Sequence, residues 1–532
     1  MADRHTPQRT AIAERIWNDK YRLKRDDGTP LERSVSETWA RVAKAVAAAE
    51  PAKQRARWAR RFRGMMQGYR FLPAGRILAG AGSKRRVTLF NCFVMGTIPD
   101  DLGGIFENLK EAALTMQAGG GIGHDFSTLR PKGAPVRGVG ADASGPISFM
   151  DVWDAMCRTI KSAGARRGAM MGTLACDHPD IEAFIRVKAD PKRLRMFNLS
   201  VLVSDAFMHA VKDDASWDLV FEGKVYRTLA ARILWEEIMR ATYEYAEPGV
   251  VFIDRVNAEN NLNYCETIHA TNPCGEQPLP PHGACLLGSI NLARLVRDPF
   301  EAGARIEAEE LAAITADAVR FLDDVIDVSH YPLDAQRREA TAKRRIGLGV
   351  TGLADALVMC GLTYGSEEAA ETAGGWMRAI QNEAYRASVE LAAEKGPFPL
   401  YDREPYLAAP SVKRLDKPVR ALVAKHGVRN ALLTSIAPTG TISLFADNVS
   451  SGIEPIFNLA FHRRVLLPDG GGEEEEVSDY AYRAFRDKFG ADAEVPESFV
   501  TTRSLTPGDH LRMQAALQPW VDSAISKTIN AP

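Results

Sequence analysis

The chain has 532 residues, of which 45% are hydrophobic and 25% charged, with a formal net charge of -1, an ordinary globular composition. That balance gives no electrostatic ground for non-specific binding to nucleic acid or a membrane surface. No run of about 18 apolar residues offers a membrane span, and the polar stretch from Met1 to Thr10 has no apolar signal core, so the expected location is cytoplasmic.

In chain order, residues 1–85 carry helical patterning. Ser34 and Glu37 have capping-box spacing ahead of Trp39 to Val46. Pro51 is placed to open the next helix, on which Arg55, Arg57, Arg60, Arg61 and Arg63 read as a solvated face, with phosphate binding as the lesser alternative. From about residue 86 the texture changes. Val87 to Val94 is strand-like, a helix is expected near 102–118, and Gly119 to Gly123 is a glycine run. Further helices are expected near 147–162, 229–246, 307–327, 352–361 and 366–395, and strands near 197–203, 344–349 and 431–436. This alternation predicts an α/β fold, either a barrel or a doubly wound sheet. The organisation read from it is a helical N-terminal domain over 1–85 and an α/β domain over 86–532. Gly470 to Gly472, followed by Glu473 to Glu476, reads as a mobile surface loop.

The seven cysteines are Cys92, Cys157, Cys176, Cys265, Cys274, Cys285 and Cys360. The number is odd and no CxxC occurs, which excludes a secreted disulfide framework. His282 lies between Cys274 and Cys285, but zinc needs a second close ligand pair and the sequence has none, so no metal site is expected.

Asn272-Pro273-Cys274-Gly275-Glu276 places a thiol two residues from a carboxamide and two from a carboxylate. If the segment is extended, Asn272, Cys274 and Glu276 share one face. The alternative is a Pro/Gly-rich surface loop with one cysteine. Ala437 to Ser443 follows an apolar run, and its Thr, Gly and Ser residues can offer N–H groups and hydroxyls to a phosphate; a plain turn with an N-cap is the other reading. Gly347 to Gly352 fits GxGxxG, but no strand-end acid follows, and a glycine-rich strand facing a ligand explains it equally. The loop from Ser162 to Ala169 carries Arg166 and Arg167, suited to phosphate or to stacking on a base, or simply an exposed basic turn.

Taken together, these segments resemble one family in order. Asn272 to Leu279 and Ala284 to Leu292 resemble the active-site segment of class II, adenosylcobalamin-dependent ribonucleotide reductases. Asn91 to Val94, Gly119 to Arg130, Gly164 to Gly168 with His178 to Glu182, Phe197 to Val201, Arg345 to Asp355, and Pro438 to Ser443 with Ser451 to Pro455 resemble its other motifs. The resemblance implies a ten-stranded α/β barrel with a central finger loop, preceded by a small helical domain. It implies Cys274 as thiyl radical carrier, Glu276 as general base, Asn272 as substrate ligand, and Cys92 with Cys285 as the redox pair that becomes a disulfide. Gly120, Gly121, Pro438, Thr439, Gly440, Thr441 and Ser443 would bind a ribonucleoside di- or triphosphate. Gly164, Arg166, Arg167 and Gly168 would form the specificity loop, reporting a deoxynucleotide or ATP effector bound near the 147–162 helix of a homodimer. The remaining four cysteines would be structural.

Two departures follow. The family's last barrel strand and cysteine-rich tail are missing from the expected pattern after Ser526, so the chain is read either as a fragment or as one that a thioredoxin-type reductant or a companion chain supplying the tail would have to complete. The cobalamin assignment is indirect, because class II enzymes carry no DxHxxG motif. The alternatives are a class I-type catalytic subunit needing a separate radical-generating subunit, and a non-catalytic nucleotide-binding sensor.

Overall fold

A computed structural model describes residues 10–136, 138, 140–160, 168–466 and 472–530. The chain forms two units: Met1–Arg85, Leu286–Ser329 and Thr341–Pro532 make the first, and Arg86–Cys285 with His330–Ala340 the second.

The first unit opens with α1 (Val35–Val46), α2 (Arg55–Met66) and β1 (Phe71–Pro73). The second contributes β2 (Cys92–Val94), α3 (Leu102–Gln117), β3 (Gly121–Asp125), α4 (Pro146–Thr159), β4 (Met170–Ala175), β5 (Phe197–Val203), α5 (Ala231–Tyr245) and β6 (Gly249–Phe252). A hairpin of β7 (Ala270–Thr271) and β8 (Pro278–Leu279) follows, then β9 (Ala284–Cys285). The chain re-enters the first unit with β10 (Leu287–Asn291), α6 (Ala308–Val328), β11 (Gly347–Thr351), α7 (Leu353–Met359), α8 (Glu367–Lys395) and α9 (Gly440–Phe445). It continues through β12 (Ala460–Leu466), β13 (Gly472–Ser478) and α10 (Tyr480–Phe489). Among the described residues no helix is long and apolar enough to cross a membrane.

The N-terminal helices bury one stripe each. Val35, Trp39, Val42 and Val46 line the inner face of α1, and Trp58, Phe62 and Met65 that of α2, the spacing of an amphipathic helix. Phe62 meets Phe321 of α6 edge to face at 5.2 Å. The five arginines of α2 lie on the exposed side. Two sequence expectations fail here. The Ser34 side chain caps nothing, and Glu37 accepts instead from the Arg33 N–H at 2.7 Å, one residue early for a capping box. Pro51 opens a turn rather than a helix, closed by the Gln54 N–H on the Pro51 carbonyl at 2.7 Å, and α2 starts only at Arg55.

In the second unit β2, β3, β4, β5 and β6 pair side by side, every contact parallel, and β9 adds to the free edge of β2 antiparallel. Parallel neighbours need crossover connections, which α3, α4 and α5 help to supply. β4 and β5 are mostly apolar and buried on both faces, as in covered parallel sheets.

In the first unit β1 pairs antiparallel with β10, and β10 pairs parallel with β11. The strand expected at 431–436 is present only as isolated bridges, Thr434 beside Leu348 and Ile436 beside Ile525. The reason is a side chain in the ladder's place. The Asp522 carboxylate accepts from the N–H groups of Leu433 at 2.8 Å and Thr434 at 3.3 Å. Residues 523–526 run along the far side of this segment, joined by the Ser523, Ile436 and Ser526 N–H groups. The segments 431–436 and 523–526 thus continue the β1–β10–β11 sheet of the first unit to five neighbouring segments, and the second unit's sheet has six strands. The glycines of β11 serve this packing: a Cβ at Gly349 would sit 2.3 Å from the Ser435 carbonyl oxygen.

The Gly/Glu-rich stretch expected as a mobile loop is not one over residues 472–476. There β13 pairs with β12 from Gly472 opposite Leu466 to Ser478 opposite Ala460.

Asp355 of α7 and Asp479 at the N-cap of α10 are both buried, and each carboxyl acts on the other. Burial pushes Asp355 up to about 6. Burial and the neighbouring Asp355 charge push Asp479 well above the usual range. A carboxyl raised in the folded state contributes stability that is complete below its unfolded value of 3.8 and fades as pH climbs through the folded value. The chain is expected to lose on the order of 1–3 kcal/mol through this pair on going from about pH 4 to about pH 8. Asp479→Asn keeps the cap on the Tyr482 N–H and is expected to flatten that slope, read by denaturant unfolding at both pH values. An unchanged slope would contradict the proton-sharing assignment.

Candidate functional site

The second unit collects Cys92, Cys274, Cys285, Asn272 and Glu276 around the finger hairpin. Asn272 to Gln277 links β7 to β8, where Ala270 faces Leu279 and Thr271 faces Pro278. The segment is not extended, as the alternating-face reading required. The Gly275 N–H returns to the Asn272 carbonyl at 3.1 Å, and Gly275 has φ 80°. Asn first, Pro second and Gly fourth is the residue signature of a type I turn. Cys274 therefore sits in a tight turn, half-buried, while Asn272 and Glu276 are buried.

Three contacts fix that turn. Asn198 of β5 donates its side-chain N–H to the Pro273 carbonyl at 2.7 Å. Thr173 of β4 donates its hydroxyl to the His269 carbonyl at 3.0 Å. Gly123 of β3 lies so close that a Cβ there would meet the Thr271 carbonyl oxygen at 2.0 Å. Sequence reading assigned no role to Asn198 or Thr173, and placed Gly123 only within the Gly119 to Arg130 segment resembling a substrate-site glycine loop. Asn198 carried a signal, as a lone amide in the apolar run Phe197 to Val203, where it is the one exposed residue.

Cys92 and Cys285 are brought together by strand register. They are directly opposed across the antiparallel β2–β9 pair, and neither is in a disulfide. Opposed Cα atoms in such a pair lie about 4.5–5.5 Å apart, inside the window of about 4.4–6.8 Å that a disulfide requires. Burial pushes the Cys285 thiol well above its ordinary value, and the nearby Glu276, Cys92 and Cys274 push the same way. Those influences place all four groups in one electrostatic neighbourhood, with Cys285 held as the protonated thiol. Gly121 joins the parts: a Cβ there would lie 3.0 Å from the Cys92 sulfur and 3.2 Å from the Pro273 ring. Gly120 is packed the same way against Phe93, at 2.7 Å.

The remaining cysteines lie outside this cluster. Burial raises Cys157, Cys176 and Cys360 each to about 11, and Cys265 is exposed on a turn. Gly168 is packed on Cys157, where a Cβ would be 2.5 Å from the sulfur. Gly164, Arg166 and Arg167 lie outside the described residues.

The phosphate-type loop belongs to the first unit. Thr439 caps α9 with φ 54°, a left-handed conformation that costs a β-branched residue strain. Its hydroxyl accepts from the Gly452 N–H at 2.7 Å and meets Thr351 at 3.0 Å and Ser443 at 3.1 Å. The Thr439 and Ser443 hydroxyls are thus buried and tie the loop to β11. Gly440 is exposed, and Pro438 and Thr441 are half-buried. The first N–H groups of α9, ahead of the Ser443 N–H that reaches the Thr439 carbonyl, have no acceptor within the helix.

Residues 90–532 match the ribonucleotide reductase barrel domain and residues 7–86 the ribonucleotide reductase all-alpha domain. The chain belongs to the ribonucleotide reductase family. This reductase is 41% identical to the vitamin B12-dependent ribonucleoside-diphosphate reductase of Mycobacterium tuberculosis (strain CDC 1551 / Oshkosh), over 97% of this chain and 74% of that one. It is 39% identical to the protein of the same name from Thermoplasma acidophilum, over 88% of this chain and 61% of that one. A ribonucleoside-diphosphate reductase subunit alpha of Chlamydia muridarum is 29% identical over 83% of this chain and 47% of its own length.

Proposed function

We propose that this reductase converts ribonucleoside diphosphates to 2′-deoxyribonucleotides through a thiyl radical on Cys274, with adenosylcobalamin as the radical source. The observation that carries the reading is the register of Cys92 against Cys285 beside the Cys274 turn, a dithiol poised to deliver two electrons. Cys274 is the more exposed of the three thiols, the arrangement expected of the one that must meet a cofactor from outside. When bound, adenosylcobalamin supplies the radical chemistry that acid–base groups cannot.

The chain's own residues then divide the work. The Cys274 thiyl takes the hydrogen from ribose C3′, and Glu276 accepts the 3′-hydroxyl proton as general base. The 2′-hydroxyl leaves as water, protonated from the thiol pair. Cys285, kept protonated by burial beside Glu276, suits that delivery. Cys92 and Cys285 give two electrons and become a disulfide, their second hydrogen going to C2′; Glu276 returns its proton to the 3′-oxygen, and Cys274 returns its hydrogen to C3′ and recovers the radical. Asn272 orients the ribose. The α9 N–H groups with Gly440 and Thr441 hold the diphosphate, on a loop stiffened by Thr439 and Ser443. A deoxynucleotide or ATP effector, bound near α4 of a homodimer and reported by Arg166 and Arg167, selects the base. The disulfide is reopened by thiol exchange with a thioredoxin-type reductant or a companion chain.

The test is incubation with a ribonucleoside diphosphate, dithiothreitol and adenosylcobalamin, with deoxynucleotide measured by chromatography. Product that depends on cobalamin is expected. Product formed without cobalamin, but only with an added radical-generating subunit, would overturn the cofactor reading.

A further inference from the structure

The finger turn holds a second carboxamide to which the scheme above gives no task. Asn272 and Gln277 close the turn around Cys274: the Asn272 N–H donates to the Gln277 carbonyl at 3.1 Å, and the Gln277 N–H donates to Asn272 Oδ1 at 3.0 Å. The Asn272 amide oxygen is thereby engaged. What remains is two amide nitrogens, Asn272 Nδ2 and Gln277 Nε2, on side chains 0% and 2% exposed, and neither has a hydrogen-bond partner. Buried donors without acceptors are costly and rare in folded proteins. Finding two on the residue pair that frames a reactive thiol calls for a ligand rather than a packing explanation.

The chemistry of that ligand follows from the groups left open. An amide nitrogen donates and accepts nothing, so the ligand must present acceptor oxygens. Opposed residues of a hairpin project to one face, which puts the two side chains on the same side of the turn. The turn cannot swing to find partners elsewhere, because Asn198 holds the Pro273 carbonyl and Gly123 abuts Thr271. Two adjacent donors of this kind suit a vicinal diol.

We propose that Gln277 is a substrate-positioning residue, its Nε2 donating to one ribose hydroxyl oxygen while Asn272 Nδ2 serves the other. This role rests on the ribonucleotide reading and deepens it: the pair distinguishes a ribose from a sugar lacking either hydroxyl before any radical forms.

The test measures binding to the full chain by calorimetry, with dithiothreitol and without cobalamin, using a ribonucleoside diphosphate and its 2′-deoxy and 3′-deoxy analogues. The wild-type chain is expected to bind the ribonucleotide about threefold to tenfold tighter than each analogue, the range of one net hydrogen bond per hydroxyl. Gln277→Met is expected to weaken ribonucleotide binding by a similar factor. It should erase discrimination against one analogue and leave the other intact, the non-additivity that marks a direct contact. Gln277→Glu, equal in size but lacking the amide donors, is expected to erase the same discrimination. In the ligand-free chain Gln277→Met removes an unsatisfied donor, so its melting temperature should rise, whereas a residue that only supports the turn would lower it. Equal losses on all three nucleotides, or none, would overturn the role of Gln277 while leaving the reductase reading standing. A wild-type chain that binds no ribonucleoside diphosphate would overturn both.

Discussion

Replacing Cys274 by serine is expected to lower cobalamin-dependent deoxynucleotide formation by about 10⁴-fold or more, the scale on which removal of a central reacting group acts. A serine hydroxyl has a far stronger bond to hydrogen than a thiol and cannot serve as an exchangeable radical. The same substitution should hardly affect folding. Cys274 is half-buried in a turn whose shape is set by Pro273, Gly275 and the Asn198 bond, and changes at such positions usually stay within about 0.5 kcal/mol. The pairing of an unchanged melting temperature with lost turnover separates a chemical role from a structural one. Residual turnover of even a tenth of wild type would remove Cys274 from the centre of the reaction.

The second large effect comes from a residue that touches no substrate. Gly123→Ala places a methyl group 2.0 Å from the Thr271 carbonyl oxygen, and the obstacle is main chain rather than a side chain that can turn away. Either β3 or the hairpin must move. Overpacking of this kind costs about 1–3 kcal/mol, and a shift of about 1 Å in a reacting group costs about 10²-fold in rate. We expect kcat to fall by about that factor, with a lower melting temperature and little change in KM. Gly64→Ala is the matching control. Gly64 lies on α2 with open space at its Cβ position, and alanine there should stabilise by about 0.5–1 kcal/mol. A Gly123→Ala variant with near-normal kcat would mean that the hairpin base does not set the position of Cys274.

Much of this was legible in the residues, and what was not has definite causes. Periodicity located most of the long helices, including α6 and α8, because each buries a wide apolar stripe. The chemistry-bearing segment was visible from Asn272 to Glu276, but its conformation was not. Alternation suggests an extended strand, whereas Gly275 at positive φ and the Asn272–Gln277 bonds make a turn. The opposition of Cys92 and Cys285 is a matter of register between strands far apart in sequence, which no local pattern encodes. The same holds for Asn198 and Gly123, whose importance lies in what crosses them. The 431–436 segment escaped for another reason: Asp522, distant in sequence, takes two of its N–H groups. The Thr439 and Ser443 hydroxyls were expected to face a phosphate, and instead brace the loop from behind.

The placement of Cys92 opposite Cys285 has a mechanical consequence. A dithiol that must close and reopen at every turnover could require the protein to breathe each time, tying the speed of the cycle to a slow deformation. Here both sulfurs hang from a single rung of an already paired ladder, so closing the bond asks for rotation about side-chain torsions and leaves the strands where they are. Oxidation and reduction can then alternate with little drag on the scaffold.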